Sequence, residues 1–127
     1  MNENMSNYKK DFEHLFDLSG NAMAVLNSKG IFLSANKICE DFCGYSQNKL
    51  IAKYNLVNFL AGKNLSEIKG YLESCPTKVR SDVAPATFEC KLINSFGYHR
   101  IIILSLNWIA NDNVFFVTMV KIGRAHV

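Results

Sequence analysis

The sequence predicts an α+β fold: a five-stranded antiparallel sheet with central helices on one face and an N-terminal amphipathic helix. Two apolar runs joined by a turn, residues 23–26 and 31–35, precede a stretch with helical periodicity. Three strand-like runs follow it, at residues 87–94, 99–108 and 114–120. Strands grouped on both sides of a helical block form an antiparallel sheet with the helices on one side. A chain of 127 residues is long enough for one such domain.

The first predicted element is an amphipathic helix over about residues 6–18. Its apolar residues recur at the spacing of one helix face, and they are Tyr8, Phe12, Leu15 and Phe16. Ser19 and Gly20 end the helix. A β-hairpin follows, because a four-residue turn with glycine last separates the first two apolar runs. We therefore expect a capping or dimerisation helix at residues 1–18 and the sheet domain at residues 19–120.

The stretch of residues 36–46 organises the rest of the prediction, because the apolar period changes there from 2 to 3.6. Ile38, Phe42 and Tyr45 stand at i, i+4 and i+7, on one face of a helix. Gly44 can adopt the positive φ with which a helix often ends. A short helix with a glycine end is therefore predicted between the second and third strands.

A longer helix is predicted over about residues 64–74. Asn64 and Glu67 have the spacing of a capping box, and Pro76 follows the helix end. The residues of its buried stripe are Leu65, Ile68, Tyr71 and Leu72.

The last two strands are apolar at every position over residues 101–104 and 114–117. A sheet with one wet face would alternate, so both faces of these strands must be covered. The central helices can cover one face, and the N-terminal helix or a second subunit the other. The sequence therefore predicts a homodimer whose interface comprises Tyr8, Phe12, Leu15 and Phe16 of the helix with Ile102 and Phe115 of the outer sheet face.

Charge and hydropathy point to a cytoplasmic protein that binds no nucleic acid. The net charge is +3, and lysine and arginine form no basic stripe. The chain shows no leader and no apolar run of membrane-spanning length.

Cysteine usage agrees with a reducing compartment, so the four cysteines are expected as thiols. Cys39 and Cys43 are read as small apolar residues of a buried helix face. A thiol redox sensor that uses this pair stays open as an alternative.

Catalytic patterns are missing, and the sequence predicts no enzyme activity. It contains no nucleophile elbow, zinc-protease motif or glycine-rich phosphate loop. His14 and His99 are interpreted as solvated surface residues. No metal site is predicted, since a metal bound by Cys39 and Cys43 would need two more ligands and no His lies nearby in sequence.

The same organising stretch resembles the PAS domain, or sensory-box, family. The family run is approximately N-x-A-x-x-x-x-x-G-Y-S-x-x-E-L. The matching residues are Asn36, Gly44, Tyr45, Ser46 and Leu50. Lys49 stands where the family usually has Glu, and Ile38 where it often has Ala. The resemblance covers about residues 8–120.

The resemblance implies a small-molecule or cofactor pocket between the sheet and the central helices. The expected helix residues are Phe42, Tyr45, Leu56, Phe59, Leu60, Ile68 and Leu72. The sheet and its approach are expected to contribute Asn36, Phe88, Cys90, Ser105 and Asn107. A filled core that serves only protein interaction is the alternative.

The cofactor stays unknown at this point. Residues 64–74 carry no histidine for haem, and no flavin-adduct cysteine run is present. Cys75 is only loosely placed for a p-coumarate chromophore. Non-covalent FAD is left open, with Trp108 as a conceivable stacking partner.

The resemblance further implies a fragment of a bacterial or archaeal signalling protein. A histidine kinase, a diguanylate cyclase or further sensory domains would follow it. The family often ends its last strand in Asp-Ile-Thr, whereas this chain reads Met119-Val120-Lys121-Ile122. Residues 121–127 resemble a translated sequencing adapter and are expected to be a non-native tail.

Overall fold

A computed structural model of the chain describes residues 20–77 and 83–123. Its strands are β1 (Ala22–Asn27), β2 (Phe32–Ala35), β3 (Leu60–Ala61), β4 (Ala86–Ile93), β5 (His99–Ile109) and β6 (Val114–Gly123). Its α-helices are α1 (Lys37–Cys43), α2 (Gln47–Leu50) and α3 (Leu65–Ser74). Two 3₁₀ helices lie at Leu56–Phe59 and Cys75–Thr77.

Two predicted segments fall largely outside the described residues. The N-terminal helix, with Tyr8, Phe12, Leu15 and Phe16, lies wholly outside them. Of the expected tail, residues 121–123 extend β6, and residues 124–127 are not described.

The six strands form one antiparallel sheet in the order β2-β1-β6-β5-β4-β3. The predicted α+β class is confirmed, but the predicted count of five strands is wrong. The sixth strand is β3, in which Leu60 pairs with Leu92 and Ala61 with Lys91. Two residues are too few to show a period of 2, so the sequence pattern gave no sign of this strand.

The two ends of the domain meet in the middle of the sheet. Along β1, Ala22 pairs with Met119 and Asn27 with Val114 of β6. β6 also pairs with β5, from Ile102 opposite Lys121 to Ile109 opposite Val114. The last strand therefore lies between the first strand and the β4–β5 hairpin.

Asn36 fixes the start of α1 against β1. Its backbone is extended (φ −83°, ψ 175°), and its Oδ1 accepts a hydrogen bond from Cys39 N at 2.9 Å. The same Oδ1 accepts from Met23 N at 3.0 Å, and Nδ2 donates to Asn21 O at 2.8 Å. Asn36 is 1% exposed, so one buried amide both caps the helix and joins it to the first strand.

Gly44 ends α1 in the left-handed conformation, as predicted. Its φ is 81°, and its N–H donates to Glu40 O at 2.7 Å. Ser95, in the β4–β5 hairpin, donates from Oγ to Gly44 O at 2.7 Å and from N to Cys43 O at 2.9 Å. A Cβ at position 44 would lie 2.3 Å from Ser95 Oγ. The hairpin thus approaches α1 so closely that only glycine fits without displacement.

The capping box predicted at Asn64 and Glu67 is wrong. Asn64 makes no side-chain cap hydrogen bond, and its Nδ2 donates instead to Glu89 O at 2.6 Å. This bond holds the start of α3 against β4, so a tertiary contact replaces the local one. A capping box forms instead at Asn55 and Asn58, around the first 3₁₀ helix.

Replacing Asn36 with Ala should lower the free energy of unfolding by about 1–3 kcal/mol. The substitution removes a helix cap and leaves Met23 N, Cys39 N and Asn21 O without the amide in a buried position. Urea denaturation followed by circular dichroism measures the change. Asn111→Ala, at an exposed turn position, is the matched control. Equal midpoints for the two variants would contradict the structural role of Asn36.

Candidate functional site

The helices and the sheet enclose one apolar cluster. Six of the pocket residues predicted from the helical region are buried in this cluster: Phe42, Leu56, Phe59, Leu60, Ile68 and Leu72. Cys90 of β4 is buried in the same cluster, and Tyr45 and Phe88 are partly buried against it. The structure therefore brings together nine of the twelve predicted pocket residues on the inner face of the sheet.

The other three predicted pocket residues lie elsewhere. Asn36 is buried, but its hydrogen bonds hold β1 and α1 together. Ser105 and Asn107 lie on the outer sheet face, and the prediction that they face the pocket is wrong. In β5 the buried inner positions are Ile102, Leu104, Leu106 and Trp108, whereas Asn107 is exposed.

The same reversal applies to the predicted sheet contribution to a dimer interface. Ile102 and Phe115 are 0% exposed and belong to the inner cluster, so they do not face a second subunit. The alternate residues Ile101, Ile103 and Val120 occupy the outer face, where Ile103 pairs with Val120. β5 is apolar at every position only over residues 101–104, and the polar–apolar alternation at residues 105–108 is the signal that indicates the inner face seen in the structure.

A first aromatic group surrounds the end of α1. Tyr45 and Tyr54 stack with their ring centroids 4.9 Å apart. Phe59 lies 6.0 Å from Tyr45 and 5.7 Å from Tyr54, and it meets Phe32 edge-on at 6.1 Å. These rings join both hairpin and helix residues into the cluster.

A second aromatic group lies between α3 and the inner sheet face. Trp108 and Phe115 have ring centroids 4.7 Å apart, and Tyr71 of α3 lies 6.3 Å from Phe115. The Tyr71 hydroxyl donates to Ala84 O at 2.8 Å. Trp108 is 5% exposed, and its indole Nε1 finds no hydrogen-bond partner in the part of the chain that the structure describes.

Neither Trp108 nor Tyr71 was among the predicted pocket residues. Tyr71 is predicted only as part of the buried stripe of its helix, and Trp108 only as a conceivable stacking partner for FAD. The inner positions of β5 include Leu106 and Trp108, so Trp108 lies inside, paired with Phe115 of β6.

All four cysteines are buried thiols. A hydrogen bond with Cys43 and burial both raise the pKa of Cys39 well above its usual value. Burial raises the pKa of Cys90 to about 11. The thiolate is the form that reacts with oxidants, so these environments disfavour the redox-sensor alternative.

Neither a metal cluster nor a membrane-crossing helix occurs among the described residues. No group of three or more His, Cys, Asp or Glu side chains converges there. None of the helices at residues 20–77 and 83–123 is long and apolar enough to span a bilayer.

The raised pKa values of the Cys39 and Cys90 thiols predict that the fold loses stability in alkaline solution. The unfolded chain ionises its thiols at lower pH than the folded one, so stability is fully present below the ordinary thiol pKa and falls as pH rises toward the folded values. Tyr71, whose pKa burial raises to about 12, adds to the fall at higher pH. Urea midpoints measured from pH 7 to pH 10.5 should therefore decrease.

Cys90→Ala isolates one of these contributions and should make the alkaline decrease shallower. Midpoints that stay constant through the same pH range, or an identical slope in the variant, would contradict the assignment.

Comparison with known proteins finds likeness in structure rather than in sequence. No family model matches the chain, and no curated protein matches it. A PAS domain from Colwellia psychrerythraea superposes with a TM-score of 0.74 at 18% identity, over 91% of this chain and 98% of that one. A domain of a sensory box sensor histidine kinase/response regulator from Geobacter sulfurreducens gives 0.72 at 14% identity, over 94% and 98%.

A third similar structure is the PAS domain of the quorum-sensing receptor RpfR from Cronobacter turicensis, in complex with BDSF. It superposes with a TM-score of 0.65 at 11% identity, over 82% of this chain and 95% of that one. The three matches cover between 95% and 98% of each similar chain. The chain described here has the PAS fold.

Proposed function

We propose that this chain is a sensory and dimerisation module of a bacterial or archaeal signalling protein. It binds a small molecule in a pocket between the helices and the inner face of the sheet. The full-length protein is cytoplasmic and relays the signal to a C-terminal histidine kinase, diguanylate cyclase or further sensory domain. Any catalytic activity resides in that output part.

The observation that carries the proposal is the convergence of side chains from separate elements on the inner face. A small-molecule pocket is mainly apolar, with a few polar groups that orient the ligand. The residues proposed to line it are Phe42, Tyr45, Leu56, Phe59, Leu60, Ile68, Leu72, Phe88 and Cys90. The similar receptor domain from Cronobacter turicensis was solved in complex with BDSF, which supports a ligand within this fold.

The outer sheet face is the proposed route of the signal. Ile101, Ile103 and Val120 form an apolar patch on this face, beside the polar Ser105 and Asn107, and Val120 is 41% exposed. A soluble protein covers such a face, and we assign the cover to the predicted N-terminal helix and its copy in a dimer. A ligand that changes the inner packing of β5 then also changes the face on which the two subunits meet.

A ligand-free interaction module remains the second candidate, and one observation favours it. Phe96 and Tyr98, in the β4–β5 hairpin, are 74% and 70% exposed. Exposed aromatic side chains are typical of residues that anchor protein interfaces. The two candidates differ in whether a small molecule occupies the interior.

Native mass spectrometry of the full chain, with an absorbance spectrum, tests the proposed function first. We expect a non-covalent mass added to the polypeptide, which is released when the protein is denatured. A preparation that shows only the polypeptide mass and no visible absorption would contradict ligand binding and favour the interaction module.

The dimer is tested by Phe12→Glu combined with Phe16→Glu. Carboxylates in the apolar stripe of the predicted N-terminal helix cannot be buried cheaply, so the variant should sediment at the monomer mass. Glu13→Lys, on the predicted polar face of the same helix, is the control and should remain dimeric. A double variant that keeps the mass of the native protein would contradict the assigned interface.

A further inference from the structure

The indole N–H of Trp108 is a buried donor that has no acceptor among residues 20–77 and 83–123. Its residue is 5% exposed, and it is the only tryptophan of the chain. Among the described residues, Nε1 of Trp108 is the one buried side-chain nitrogen or oxygen that makes no hydrogen bond. A buried donor that lacks an acceptor destabilises a fold, so natural structures almost always supply one.

None of the described groups supplies this acceptor. The Tyr71 hydroxyl donates its proton to Ala84 O at 2.8 Å, with Leu106 O at 3.4 Å as a second contact, and its oxygen makes no hydrogen bond with Nε1. Phe115, the ring in closest described contact with Trp108, offers no acceptor atom. The ring of Trp108 therefore lies among aromatic rings at the inner face of the sheet, the face on which the proposed ligand pocket lies.

The charge of the interior limits what the acceptor can be. Among residues 20–77 and 83–123, Asn36 is the single buried polar or charged side chain, and its amide already holds β1 and α1. A carboxylate or phosphate placed here would lose its hydration without gaining a cation or several donors. One neutral donor is enough for a carbonyl oxygen but not for an anion.

We propose that Trp108 donates its indole N–H to the carbonyl-type acceptor of an uncharged, mainly apolar ligand. This inference rests on the proposed function and adds the chemical class of the ligand and the residue that orients it. The rings of Tyr71 and Phe115 flank the site and favour a flat ligand body.

Three probes with the same bicyclic body separate these requirements. Indan-1-one carries a neutral carbonyl, indane lacks any acceptor, and indane-1-carboxylate carries a charge. Because the chain has one tryptophan, protein labelled with ¹⁵N-tryptophan gives a single indole N–H resonance, which reports on this donor directly.

Indan-1-one should move the indole resonance downfield and bind more tightly than indane by on the order of tenfold. Indane-1-carboxylate should bind more weakly than both. Equal affinities for indan-1-one and indane, tightest binding by the carboxylate, or no binding of any probe would overturn the proposal.

The second measurement uses two proteins that lack the indole N–H at position 108. Trp108→Phe removes the donor, and 3-benzothienylalanine at position 108 removes it with the bicyclic shape preserved. In both proteins the preference for indan-1-one over indane should disappear. A preference that persists with 3-benzothienylalanine, which keeps the packing, would overturn the role of Trp108.

The outcomes distinguish this inference from the proposed function. A molecule retained from the expression host and held equally by the native and benzothienylalanine proteins would leave the sensory function standing and overturn the inference. Selective binding of indan-1-one to a protein that retains no molecule would support the site and show a pocket that is empty after purification. No retained molecule and no binding of any probe would count against both the inference and the proposed function.

Discussion

The arrangement of the domain depends on the buried amide of Asn36. It joins the first strand to the first helix through three hydrogen bonds, and no other described polar side chain is buried as deeply. The buried residues of α1 are Cys39, Phe42 and Cys43, and they pack toward the inner sheet face. Gly44 ends the helix against Ser95. A single polar contact thus sets where the apolar lining of the site begins.

Local signals in the sequence were enough for much of this framework. The hairpin, the periodic face of α1 and its end at Gly44 each depend on residues close together in the chain, so spacing and turn chemistry predicted them. The helical members of the site followed from the same periodicity and from the resemblance. Asn36 was recognised as a matching position, but its role as a hydrogen-bonding bridge needs Asn21 and Met23 in place.

The failures have two physical origins: an ambiguous strand face and a contact that is distant in sequence. Residues 101–104 and 114–117 are apolar on both faces, and only the alternation at residues 105–108 indicates which face of β5 is the inner one. A shift of one residue reverses the two faces. That reversal moved Ser105 and Asn107 out of the site and Ile102 and Phe115 into the core. Asn64 could have capped its own helix, yet it bonds β4 instead.

The pairing of β1 with β6 also determines when the domain can form during its synthesis. β1 is made first and one of its edges pairs with β2, but the partner of its other edge begins at Val114, so the middle of the sheet stays incomplete until nearly the whole domain has been translated. Such contacts between distant segments slow folding, because a long loop must close before they form. Until β6 has been made, the nascent chain therefore carries one unpaired edge of β1, the kind of edge on which wrong strand pairing can start.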